Sequence, residues 1–184
     1  MTEYPDSTIK SCFDAAWLNL EAAQAAATAV QGLRFCHARQ RIMAMLGEAA
    51  DLFFDTPSPT LGAVAEKLQI QWGDELFTDD GDADHKRIVV GDIRRLERIH
   101  AGVEEPEASG GMDLVRIASE WTSALQEYTS QEAAPDVQAK LLSKRAPDLN
   151  AVIKKLELLG SGPRQPSILR DLRSFATAEP QSAN

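Results

Sequence analysis

The sequence predicts an all-α protein of about eight helices, arranged as two degenerate four-helix repeats packed on a shared core. Apolar residues recur at alternating spacings of three and four through most of the chain, which places them on one face of a helix. Prolines such as Pro57, Pro135 and Pro147, and glycines such as Gly32 and Gly102, mark the boundaries between these periodic stretches. The repeat is read from a short helix written twice, as "SPTLGAVAEKLQI" at residues 58–70 and "APDLNAVIKKLEL" at 146–158.

The first helix is expected from Asp6 or Ser7, either of which can cap free N–H groups, to a left-handed turn at Gly32. Its stripe is Ile9, Phe13, Ala16, Leu20, Ala23, Ala27 and Val30. The run "EAAQAAATA" is small and helix-favouring, so a neighbouring helix can approach closely there. A second helix follows with Phe35, Ala38, Ile42, Met45, Ala49 and Leu52 inward and stops before Pro57, since the residue preceding proline resists helical dihedrals. Two amphipathic helices with a short connection make an antiparallel hairpin.

Thr60 then caps a third helix with Leu61, Val64, Ala65 and Leu68 inside. The segment "GDELFTDDGDADHK" breaks the periodicity and reads as an exposed acidic loop. A helix resumes with Val89, Ile93 and Leu96 on one face and ends at Gly102. After "GVEEPEASGG", a linker by its proline, acid and glycine content, come a helix with Leu114, Ile117, Trp121, Leu125 and Tyr128 on one face and another from Pro135 to about Lys144. Asp148 caps the second copy of the short helix, and "PSILRDLRSFA" is the last. The expected organisation is a first unit at residues 7–101, a linker at 102–111, a second unit at 112–176 and a disordered tail at 177–184.

The two short helices share a proline, a capping residue and the frame L-x-A-V-x-x-K-L-x-[I/L]. Leu61, Ala63, Val64, Lys67 and Leu68 match Leu149, Ala151, Val152, Lys155 and Leu156, and Asp92-Ile93-Arg94 matches Asp171-Leu172-Arg173 in the helices that follow. Trp17 and Trp121 take corresponding places upstream. A unit with a long apolar face cannot bury it alone, so two copies are expected to dock about an approximate two-fold axis. The recurring charges predict interhelix ion pairs within each copy, Lys67 with Asp92 and Lys155 with Asp171. The stretch "TPSPTLGAVAEKL … DIRRL" also resembles a segment of short, uncharacterised helical proteins of alphaproteobacteria and their mobile elements. The likeness covers residues 34–100 and implies no activity.

Composition narrows the function. At 43% hydrophobic and 26% charged residues the chain is of globular type, so a packed core is expected rather than disorder. A net charge of -9 argues against phosphate backbones as partners and suits a protein with a basic surface. Cys12 and Cys36 are read as reduced, buried small hydrophobes, which implies a cytoplasmic location. No secretory signal is expected from "MTEYPDSTIK", and no apolar run approaches the roughly 20 residues of a membrane span.

No catalytic, cofactor or metal site is expected. An EF-hand loop starting at Asp80 wants glycine where His85 stands and glutamate where Gly91 stands. His37, His85 and His100 show no i, i+4 pairing for zinc, no G-x-S-x-G turn is present, and "GSGPRQPS" lacks the lysine of a P-loop. The expectation is therefore a non-enzymatic adaptor, regulator or inhibitor that binds another protein. Trp72 and the acidic residues Asp74, Glu75, Asp79, Asp80, Asp82 and Asp84 form its expected partner surface, because this loop is the main insertion distinguishing the first copy from the second. The alternative is a DNA-binding regulator, in which Arg164, Arg170 and Arg173 follow a short turn in the second half. A helical enzyme is the third reading.

Overall fold

A computed structural model describes residues 6–32, 37–102, 110–130, 134–160 and 162–178. Among them are eight α-helices and one 3-10 helix, with no strand, so the chain is all-α. Cys36, Phe35, most of the expected linker and the tail beyond Ala178 lie outside the described residues. No described helix is long and apolar enough to cross a membrane. The chain divides into two compact units, residues 1–59 and 60–184.

The first unit is the expected hairpin of α1 (Asp6–Ala29) and α2 (His37–Asp55). Phe13, Ala16, Leu20 and Ala27 of the α1 stripe are buried, as their spacing requires. On α2 the stripe is displaced. Met45 and Leu52 are each 54% exposed, whereas Ala49, Ala50, Phe53 and Phe54 are buried. The reason is the adjacent pair of phenylalanines. Turning both rings inward removes more apolar surface from water than burying Met45 and Leu52 would. The Phe53 ring lies 5.1 Å from Phe13, 5.4 Å from Trp17 edge-on and 5.5 Å from Phe54. Cys12 is exposed on the outer side of α1, correcting its expected burial, because it sits one residue off the stripe.

The second unit contains α3 (Leu61–Trp72), the 3-10 helix Gly73–Phe77, α4 (Gly81–His100), α5 (Gly110–Ser130), α6 (Pro135–Ser143), α7 (Leu149–Leu158) and α8 (Gln165–Ala178). Both expected caps are present, Thr60 accepting from the Ala63 amide at 3.1 Å and Asp148 from the Ala151 amide at 2.8 Å. A second donor at the start of α3, the Gly62 amide, is taken by the Glu97 carboxylate of α4 at 2.8 Å. A Cβ at position 62 would meet that carboxylate, so a larger residue here would have to push the Glu97 side chain aside.

The two hairpins α3–α4 and α7–α8 pack crosswise, α3 on α8 and α4 on α7. Leu61, Val64, Leu68, Val89, Ile93 and Leu96 are buried, and so are Leu149, Val152, Leu156, Ile168 and Leu172. This crossing overturns the expected ion pairs. Lys67 donates to Asp171 and Lys155 to Asp92, each at 2.7 Å. The pattern showed that a lysine and an aspartate of each hairpin face inward. With the hairpins crossed, the carboxylate that each amine meets belongs to the opposite hairpin.

Candidate functional site

The acidic segment is built rather than loose. Gly73 takes a positive φ of 45°, which turns the chain out of α3 into the 3-10 helix. Asp80 then caps α4, accepting from the Ala83 amide at 2.7 Å and from the Thr78 hydroxyl at 2.8 Å. Those hydrogen bonds to the ionised carboxylate, the Ala83 amide first, hold Asp80 below its ordinary range. Asp82 and Asp84 stand in the first turn of α4, where the helix dipole favours negative charge. What reads as an uninterrupted acidic loop is therefore a short helix followed by a capped helix start. Its signature is an aspartate at the cap with more acids in the first turn.

Basic side chains of α4 tie the turn down. Lys86 meets Glu75 at 2.6 Å, and Arg87 donates to the carbonyls of Leu76 and Thr78 and to Asp84. Asp74, Asp79 and Asp82 are exposed, so their charge faces solvent. Trp72 is a correction. It is the last residue of α3 and only 8% exposed, so its indole belongs to the core and does not present an anchor.

Sequence reasoning missed Phe77, which is 83% exposed. The available signal was the adjacent pair Leu76-Phe77 in a turn of five residues. Neighbouring side chains on so short a helix point in different directions, and Leu76 is the one that is buried. The turn thus presents an aromatic ring among Asp74, Glu75 and Asp79.

Next to it, a cleft of about 500 Å³ is lined by Gly81, Asp84, His85, Arg87, Ile88 and Ser143. Asp84 accepts from Arg87, and the Ser143 hydroxyl donates to the Lys140 carbonyl. No cluster of three or more metal-ligating side chains occurs among the described residues.

The arginines of the DNA-binding alternative are partly committed. Arg173 bonds Glu157 at 3.1 Å, and Arg170 lies against Asp171 at 3.2 Å.

The crossed charges form the other polar cluster. Both lysines are fully buried, and Asp92 and Asp171 are each 3% exposed. Asp92 also accepts from the Ala146 amide at 3.0 Å, and Arg95 donates to the Ala146 carbonyl. Burial pushes the Lys155 amine below its ordinary range, against the pull of Asp92. Trp121 lies beneath that amine, its ring centre 5.7 Å from Nζ.

The fold defines an all-α protein whose described residues present an acidic, aromatic-tipped turn. No family model, curated protein or solved structure matches the chain.

The Asp80 cap carries a pH dependence of known sign. Its carboxyl is lowered from 3.8 in the folded chain, so its contribution to stability is complete above that value and is lost as pH falls through the folded one. Protection of the Ala83 amide from exchange should fall over the same range. Asp80→Ala should remove that pH dependence while leaving slower exchange deeper in α4.

Proposed function

We propose that the protein works without catalysis, as an adaptor, regulator or inhibitor that binds another protein bearing a basic surface, and that the turn from Gly73 to Asp82 is the docking surface. What supports the reading is the exposure of Phe77 at the tip of this turn. A phenylalanine held in water forgoes about 1.5–3 kcal/mol of burial. Set among carboxylates on a tied-down turn, the ring offers an apolar anchor inside an acidic rim, the arrangement in which a few buried aromatics carry binding while charges steer encounter.

The test begins with a photo-cross-linking residue at position 77 to identify the partner, followed by binding kinetics with that partner purified. Phe77→Ala is expected to raise the dissociation rate about tenfold or more, which is about 1.4 kcal/mol or above. Neutralising Asp74, Glu75, Asp79 and Asp82 to their amides is expected to lower the association rate and flatten its salt dependence. Full affinity and rate in a chain with residues 73–79 replaced by a Gly-Ser link would reject the docking surface. Tight, salt-sensitive binding to duplex DNA that is lost on removing Arg164, Arg170 and Arg173 would favour the DNA-binding alternative.

A further inference from the structure

The hairpins α3–α4 and α7–α8 agree in more than their sequence frame. The turns entering α3 and α7 follow the same course, each with a proline and then a cap that holds the amide three residues on. A buried leucine, alanine, valine, lysine and leucine follow at the same helical positions. Within each hairpin an arginine of the second helix bonds the first at the matching place, Arg94 to Gln69 at 2.9 Å and Arg173 to Glu157 at 3.1 Å. Between hairpins the exchange is reciprocal, Lys67 with Asp171 and Lys155 with Asp92, both at 2.7 Å. Chance likeness of amphipathic helices accounts for shared leucines. It does not account for two fully buried lysines at one position of the frame, since lysine is among the residues least often buried.

We infer that the two hairpins are copies of one self-recognising unit, and that the surface between them fits a second copy of this chain, with α7–α8 of one molecule seated on α3–α4 of another. In each hairpin the buried lysine finds a carboxylate, and the buried aspartate an amine, in the other hairpin, while Asp171 also lies against Arg170 of its own helix. A second chain supplies the same groups at the same places, so exchange of halves costs no contact between the hairpins. The inference stands apart from the acidic turn.

Two full-length variants test it. The first carries Lys67→Asp with Asp92→Lys, and the second carries Lys155→Asp with Asp171→Lys. Alone, each sets two carboxylates and two amines against each other in the core and should lose its cooperative unfolding transition. When the two are refolded together, the changed hairpin of one answers the changed hairpin of the other, and the two unchanged hairpins answer each other.

The expected product is a species of twice the 20.1 kDa chain mass with the wild-type transition restored. A second measurement avoids these substitutions. Wild-type chain with a protease site placed in residues 103–109 is cleaved after folding, and labelled and unlabelled forms are mixed through mild denaturant. Native mass spectrometry should show hybrid pairs. Variants that recover nothing on mixing, together with cleaved chains that form no hybrids, overturn the inference.

Discussion

Asp92→Ala is expected to lower the unfolding free energy by about 3–5 kcal/mol, the range for removing one partner of a buried ion pair. The carboxylate lies 2.7 Å from Lys155 Nζ and 3.0 Å from the Ala146 amide, so the substitution strips both donors of their acceptor. Burial already lowers the Lys155 amine, and the two effects of Asp92 are what oppose it. Without Asp92 the folded amine should fall further below its unfolded value near 10.4. Between those two values the unfolded chain binds more protons, so the variant should gain stability as pH rises, more steeply than wild type.

The double variant Asp92→Leu with Lys155→Met should recover most of the loss, because neither charge then needs solvation. It should fall short of wild type, since the Ala146 amide still lacks an acceptor, worth about 1–3 kcal/mol. Denaturant midpoints measure all of this. A double-mutant cycle should give strong coupling of Lys155 with Asp92 and little with Asp171. The reverse pattern would restore the pairing within each hairpin.

How much of this was legible can be judged residue by residue. Phe13, Leu20, Leu68, Ile93 and Leu156 are buried because periodicity alone selects a helix face, and the caps Thr60 and Asp148 follow from side-chain chemistry confined to one turn. These are local quantities, and a sequence carries them directly. The Lys67 and Lys155 partners are not local. Two equivalent aspartates satisfy the same pattern, and the choice depends on how the hairpins cross. Trp72 and Phe77 failed for a related reason. An aromatic beside glycine and acids reads as exposed, but four residues separate the two, and only the three-dimensional path of the turn decides which ring enters the core.

Phe53→Ala is expected to be the most damaging change in the first unit, at about 3–5 kcal/mol. Its side chain is fully buried and touches three other rings, so truncation removes the transfer energy of the ring and also leaves a cavity. A two-helix unit has few other groups with which to close such a gap. Trp17 reports the event, because its indole sits edge-on against the Phe53 ring. Its fluorescence should move toward that of a solvated indole at a lower denaturant concentration than in wild type. Phe53→Leu should lose less, since a leucine refills much of the volume and gives up chiefly the ring-to-ring contacts, about 0.5–1.5 kcal/mol per pair beyond area. Leu52→Ala, one residue away on the exposed side, should leave the midpoint within about 0.5 kcal/mol of wild type. A larger effect at Leu52 than at Phe53 would mean that α2 presents the stripe its three- and four-residue spacing suggests, with Met45 and Leu52 inward.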